Sequence, residues 1–375
     1  MKIVLVIDQF DDANNGTTIS ARRFAQALKE HGNEVRVIAT GKPADYKYAV
    51  RQMRFFPIVE HLITSQGMRL AIPNRHVFEK AAAWADVVHF MMPSPLAIMG
   101  LKHVEKLGIP HTAAFHCQPE NITFTLHLGN SQRVNDFVYT RFRNTFFNRF
   151  THIHCPSEMI ADQLRRHDYT AQLHVISNGI SPQYFYEKRP KEDWMQGKFN
   201  VLMVGRYAGE KRQDVLIQAA AKSRHSGELQ VILAGKGPLE KKYRRMAEVL
   251  PNPIVMDFYQ PERLIEILHM ADLYVHTADA EIEAMSCMEA FACGLVPVIA
   301  NSARSATPQF ALDGRSLFPA GDSSALAAQM DWWIEHPEQR AAMERRYAEH
   351  AEQYALARSI EQTEEMFRQA IAERN

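Results

Sequence analysis

The sequence predicts an α/β protein of two consecutive Rossmann-like units with parallel sheets, and three observations lead there. Short apolar runs alternate with amphipathic runs along nearly all of the 375 residues. A chain of that length exceeds one ordinary core, so two units are expected. The alternation lapses once, from Ser181 to Lys198, where Pro, Lys, Glu and Tyr crowd together without a sustained period.

Each element follows from its own residues. Ile3 to Ile7 reads as a strand and Thr18 to His31 as an amphipathic helix, closed by Gly32 where a left-handed C-cap is common. Glu34 to Ala39 is the next strand, which completes a strand–helix–strand unit of the kind that builds parallel sheets. Asp86 to Phe90, His111 to Phe115, Ile153 to Pro156 and His174 to Ser177 continue the first unit. After the lapse, strands at Phe199 to Val204, Leu229 to Ala234, Pro253 to Met256, Leu273 to His276 and Val296 to Ala300 alternate with helices. Those helices are Gln213 to Ser223, Leu239 to Val249, Pro261 to Met270 and Met285 to Cys293. The expected domains are 1–180, a linker at 181–198, and 199–355, with a helix over 356–375 packing back on the first domain. Ligands in such folds bind at the carboxyl ends of the strands, so the cleft between the two units is the expected reaction site.

Composition excludes several classes. Hydrophobic residues make up 46% and charged residues 23%, a globular balance that argues against disorder or a fibrous chain. No apolar run approaches the ~18 residues of a spanning helix. The N-terminal Met1–Ile7 run lacks a small-residue cleavage site and enters an acidic loop, as a buried first strand does. The four cysteines show no paired spacing, which points to reduced thiols and a cytoplasmic chain. Lys and Arg outnumber Asp and Glu by 20 to 15 in residues 1–180, and the balance reverses to 23 against 28 beyond. The first half therefore suits an anionic surface, although no nucleic-acid recognition motif accompanies it.

Two segments carry chemistry. Gly205-Arg206-Tyr207-Ala208-Gly209-Glu210-Lys211 follows a strand and precedes a helix, so Arg206 and Lys211 emerge together at a sheet edge. A guanidinium fork and an ammonium there can stabilise a departing phosphate, although a solvated loop with ordinary surface charges has the same appearance. Glu281 ends a loop, Glu289 lies on the helix that follows, and Gly294 closes that helix. The first backbone N–H groups of the helix form an anion site, and ionised carboxylates accept hydrogen bonds from sugar hydroxyls. Glu283 reads first as a complement to the helix dipole.

With these segments in order and at this spacing, the chain resembles the family-4 retaining glycosyltransferases of GT-B architecture. Gly205, Arg206, Glu210 and Lys211 match that family's Gly-Arg…Glu-Lys loop, and Glu281 and Glu289 match its paired glutamates seven residues apart. The segments Val175–Ile180 with Phe185, Ala234–Pro238 and Ala320–Asp322 match further family signatures, as do Asn15–Thr17 and His31–Val35 in the first unit. The resemblance implies a nucleotide-sugar donor, with a UDP-sugar favoured, and a transferred hexose. It implies that Arg206 and Lys211 hold the diphosphate, Glu289 the ribose and Glu281 the sugar hydroxyls. The backbone of Glu283, Ala284 and Met285 is expected to approach the phosphates or sugar. Gly16 is expected to let its loop come close to the donor, His116 to lie near sugar and acceptor, and Gly235 and Tyr259 to neighbour the base. No cofactor and no metal are implied, since the cations and the helix N-terminus do that work. His152 and His154 beside Cys155 read as a structural strand rather than as a zinc site.

Two departures from the family stand out. Ile282 and Ala284 occupy positions where many relatives have glycine, and the stretch Ser302–Thr307 lacks the acidic residue often found there. A sugar-nucleotide-binding protein, an epimerase or a phosphorylase of the same fold is the other class left open, and the intact charged set argues against a dead site. The basic and aromatic stretch Arg133–Phe150 has Tyr139, Phe142, Phe146 and Arg149 on one helix side. That side is either core or a face for an anionic bilayer. Membrane-associated members of the family that glycosylate diacylglycerol or related lipids resemble this chain in placing such a segment after the histidine near the acceptor. That resemblance implies a membrane lipid as the favoured acceptor, with a cytoplasmic enzyme peripheral on the inner face of the membrane. A polysaccharide or a small soluble acceptor is the runner-up.

Overall fold

The computed structural model describes residues 1–11, 16–56, 60, 64, 68–125 and 131–373. They form two units, Met1–Asn178 with Leu356–Asn375, and Gly179–Ala355.

The first unit runs β1 (Lys2–Val6), α1 (Gly16–Glu30), β2 (Glu34–Thr40), β3 (Lys47–Val50), α2 (Arg75–Trp84), β4 (Val87–Phe90) and α3 (Pro95–Lys106). It continues with β5 (His111–Ala114), α4 (Pro119–Thr125), α5 (Gln132–Thr145), β6 (His152–Cys155), α6 (Glu158–Arg166) and β7 (Gln172–Val175). The strands lie in the order β3-β2-β1-β4-β5-β6-β7, all parallel. Parallel strands are covered on both faces, which is why β1 is apolar along nearly its whole length and buried from its second residue on. Gly32 has φ +86° and, with Asn33 donating to the Leu28 carbonyl, closes α1 as expected of a left-handed cap.

On α5, Tyr139 and Phe146 at its end are buried, so the stripe read from the sequence is core. The opposite face carries Arg133, Phe137 and Arg141 one turn apart, with Phe137 68% exposed.

The second unit runs β8 (Phe199–Val204), α7 (Gln213–Lys222), β9 (Leu229–Ala234), α8 (Glu240–Met246), β10 (Val255–Asp257), α9 (Pro261–Met270) and β11 (Leu273–His276). After these come α10 (Met285–Ala292), β12 (Pro297–Asn301), β13 (Leu317–Pro319), α11 (Ser323–Glu335) and α12 (Pro337–Ala351). Its parallel sheet has the order β10-β9-β8-β11-β12-β13, so the connection reverses direction between β8 and β11. Residues 181–198, expected to be a linker, are folded into this unit. Tyr184 and Met195 lie in its core, and Lys191 pairs with Asp272 at 2.6 Å. The stretch lacks periodicity because it packs through single anchors, not through a regular element.

The last helix, α13 (Leu356–Ala372), belongs to the first unit. Leu356, Ile360, Met366 and Phe367 join Phe24, Leu28 and Leu5 in one core cluster. Asn33 donates to Glu364 at 2.5 Å, and Glu373 lies 2.9 Å from the buried His152.

Candidate active site

The chemistry-bearing residues of the second unit sit at the carboxyl ends of its adjacent strands. The connection reverses direction between β8 and β11, and such a switch point is the usual place for a ligand in an open parallel sheet. Lys211 comes from the loop after β8 and Glu281 from the loop after β11, 70 residues apart in sequence, and their side chains form an ion pair there. Arg206 donates to Glu210 at 2.7 Å within its own loop. Burial pushes the Glu281 carboxyl up, but the Lys211 charge and His276 outweigh it and bring the group down to about 2. Glu281 is therefore a carboxylate throughout the physiological range.

The glycines of this edge divide by cause. A Cβ on Gly235 would collide with the Gly205 carbonyl, and one on Gly237 with the Tyr207 backbone. These two glycines let the β8 and β9 loops close on each other, with Gly205 donating to the Ala234 carbonyl at 2.9 Å and Tyr207 to that of Lys236 at 3.1 Å. Gly205 itself has room for a methyl group, with Lys211 at ordinary contact distance. Tyr259 follows β10 and is half-buried, and burial raises its phenol.

Ala284 is the N-cap of α10 and lies in the left-handed region at φ +64°. Met285 opens the helix and packs against the core. Glu289 is buried one turn further along. Glu283 is also buried, and its charge raises the Tyr354 phenol, after burial itself. It is thus set into the unit and not into solvent at the helix end. The loop ending in Glu281 is strapped to the segment after β12 by Ala306 donating to the Glu281 carbonyl at 2.9 Å. Ser302 donates to the Asp279 carbonyl at 2.6 Å.

His116 and Gly16 belong to the first unit. His116 lies just past β5, buried edge-on against His154 with ring centres 5.2 Å apart. Burial first, then His154 and His89, push it well below the ordinary histidine range. Gly16 starts α1, and a Cβ there would meet nothing within 4 Å. Asn15 lies outside the described residues. The strand histidines have partners within the unit: His152 sits 2.9 Å from His174, and His154 lies 2.6 Å from the Ile176 carbonyl. Among the described residues no group of three or more His, Cys, Asp or Glu is arranged to hold a metal.

Sequence reasoning missed three contributors. His276 ends β11 buried, with Nε2 3.4 Å from Glu281. Arg212 joins Asp279 at 3.1 Å, and Lys236 lies over the Phe258 ring at 4.3 Å. The available signal was position alone: His276 ends β11, Lys236 lies two residues past β9, and Arg212 immediately precedes α7. A cavity of about 620 Å³ lined by Arg36, Lys47, Tyr48, His76 and Lys80 lies on the first unit beside β2 and β3.

Two family models match in succession, Glycosyltransferase Family 4 over residues 14–184 and Glycosyl transferases group 1 over residues 185–350. The chain belongs to the group 1, family-4 glycosyltransferases of GT-B fold. It is 21% identical over 321 residues to an alpha-monoglucosyldiacylglycerol synthase of Streptococcus pneumoniae, covering 80% of this chain and 71% of that protein. A GDP-mannose-dependent alpha-mannosyltransferase of Mycobacterium tuberculosis is 25% identical over 319 residues, 81% of this chain and 79% of its own length. Among solved structures, a sucrose-phosphate synthase from Thermosynechococcus elongatus shares the fold at a TM-score of 0.78 with 16% identity, covering 99% of each chain. As a glycosyltransferase, the chain has a sugar donor and an acceptor as its natural partners. Among the described residues no helix is long and apolar enough to cross a membrane.

Proposed function

We propose that this glycosyltransferase moves a hexose from a nucleotide-diphosphate sugar, a UDP-sugar first, to a hydroxyl of a membrane lipid, with retention and without a metal. The observation that carries the reading is the switch point between β8 and β11, where Lys211 pairs with Glu281 and Arg206 with Glu210. A diphosphate offers those cations a denser negative charge at the same place. Arg206 and Lys211 hold it and stabilise it as it leaves. The acceptor hydroxyl attacks from the face the diphosphate leaves, and the departing phosphate oxygen takes its proton. No carboxylate nucleophile is required, and positioning and charge stabilisation supply the rate. Glu289 accepts hydrogen bonds from the ribose, and Glu281 from the sugar hydroxyls. The N-terminus of α10, from Glu283 to Met285, faces the phosphates or sugar, and the Gly235 loop with Tyr259 borders the base. His116 and the open position at Gly16 serve the sugar and acceptor side.

A lipid acceptor is supported by the name of the diacylglycerol-glycosylating relative and by the α5 face. There Phe137 projects between Arg133 and Arg141, a wedge flanked by cations that suits an anionic bilayer. On this reading the enzyme works from the cytoplasm, peripheral on the inner membrane face. The GDP-mannose named for the second relative makes a GDP-sugar the second donor reading.

The test is a thermal-shift screen against UDP, GDP, ADP and their sugar conjugates, with wild type beside Lys211→Ala. A ligand selective for the folded state raises the melting temperature by mass action. One nucleotide series should stabilise the wild type and lose its effect in the variant. No shift in any series removes the donor reading.

A further inference from the structure

Glu281 has two partners, and the second has so far no part in the reaction. His276 is 1% exposed, with Nε2 3.4 Å from Glu281 Oε1. Its Nδ1 lies 3.4 Å from the Tyr274 hydroxyl, which donates to Ser286 Oγ at 3.0 Å. Ser286 in turn donates to the Val204 carbonyl at 3.3 Å. The direction of this chain is informative. With its proton given to Ser286, the Tyr274 oxygen presents only lone pairs to the imidazole. Both ring nitrogens therefore face acceptors, a phenol oxygen on one side and a carboxylate on the other. A neutral imidazole has one N–H and satisfies one of them, whereas an imidazolium satisfies both.

Lys211 decides which form the site needs. In the free protein its ammonium neutralises Glu281. A diphosphate bound at the β8 loop competes for that same ammonium and leaves a buried carboxylate beside a neutral ring, an arrangement proteins avoid. The groups that bear on Glu281 and His276 are Lys211 from the β8 loop, Tyr274 on β11 and Cys287 on α10. Lys211 is the cation among them.

We propose that His276 is the reserve charge partner of Glu281. When the donor diphosphate draws Lys211 away, His276 takes a proton from solvent and holds the carboxylate in place, so donor binding carries one proton into the site. This rests on the donor reading above. His276 is thereby a positioning residue that acts through Glu281.

Calorimetric titration with UDP-glucose and with GDP-mannose tests it, in two buffers of different ionisation enthalpy at neutral pH. Neither diphosphodiester titrates near neutrality, so a proton taken up belongs to the protein. The expected result is uptake approaching one proton, with affinity rising up to about tenfold for each unit the pH is lowered. His276→Gln keeps a hydrogen-bond donor towards Glu281 but takes no proton, and should bind with no uptake. Tyr274→Phe removes the acceptor at Nδ1 and should lower the uptake. Binding without uptake in the wild type overturns the inference and leaves the donor reading standing, as does undiminished uptake in both variants. Failure of both sugar nucleotides to bind overturns the donor reading and this inference together. Should His276→Gln not fold, the wild-type affinity alone decides, and a flat profile between about pH 6 and 8.5 overturns the inference.

Discussion

The carboxyl edges of the two sheets solve opposite electrostatic problems. In the second unit the edge is ionic, with Lys211–Glu281, Arg206–Glu210 and Arg212–Asp279 paired across or within its loops. In the first unit the pair Lys47–Asp11, at 2.5 Å, is ionic, but the buried groups beneath the edge resist charge. Burial pushes Asp8 up to about 6 against hydrogen bonds from Ser94 and Ala71. Burial pushes His89 down to about 3 and His154 to about 4, with His116 well below its ordinary value. An ionic edge whose pairs can be exchanged suits a diphosphate. An edge that favours neutral groups suits a ligand presenting hydroxyls. On the proposed function, the contrast matches transfer from a charged donor to an acceptor hydroxyl.

The largest expected effect lies on the ionic side. Arg206→Ala should lower kcat by about 10²–10³, the cost of removing one preorganised donor to a developing anion. Glu289→Ala should instead weaken donor affinity, by about 10–100-fold if charged hydrogen bonds to the ribose are lost, with a smaller change in kcat. Steady-state kinetics at saturating acceptor, with calorimetry for the donor, separate the two. Equal loss of donor affinity in both variants would break the division of labour.

The next effect lies on the neutral side and concerns acid. A histidine whose folded-state value is depressed binds more protons when unfolded, so its contribution is complete above about 6.5 and is lost as pH falls towards the folded value. His89, His116 and His154 each cost about 1.4 kcal/mol per pH unit in that window. Asp8 opposes them, because a raised carboxyl favours the folded state as pH falls from about 6 to its ordinary 3.8. Three groups outweigh one, so the first unit should loosen between about pH 6 and 4.5. Glu281, with its value near 2, keeps its contribution through that window. Limited proteolysis with mass spectrometry at pH 7.5 and 5 should find new cleavage in residues 1–178 before residues 179–355. Cleavage appearing first in the second unit would contradict the comparison.

The sequence exposed the loops of the site but not their pairings. Arg206 and Lys211 were legible because a strand, a glycine and a helix frame them within a dozen residues. The Lys211–Glu281 pair was not, since it depends on β8 lying beside β11, and strand order is a property of the whole sheet. His276 was legible only as the end of a strand, and every position of that strand is buried whatever its chemistry. The α5 helix left two readings open for a related reason. Aromatics occupy both of its sides, and the stripe through Tyr139 and Phe146 is the one the core covers.

The smallest effect sharpens the comparison at one methyl group. Ala284 sits at φ +64° at the mouth of α10, a conformation that costs a non-glycine residue about 1 kcal/mol. Ala284→Gly removes that strain but adds backbone freedom to the unfolded chain, worth about 0.4–1 kcal/mol in the other direction. The two nearly cancel, so the melting temperature should move by less than about 4 °C. Gly294, at φ +86° at the other end of the same helix, differs because a Cβ there would also strike the Tyr186 ring. Gly294→Ala should therefore destabilise clearly more than Ala284→Gly in thermal denaturation. If Ala284→Gly leaves stability in place and tightens donor binding, the alanine methyl limits approach to the phosphates or sugar. If affinity is unchanged as well, that methyl lies clear of the donor, and the substitution from the family's glycine is tolerated because the N-terminus of α10 binds through backbone N–H groups that either residue supplies.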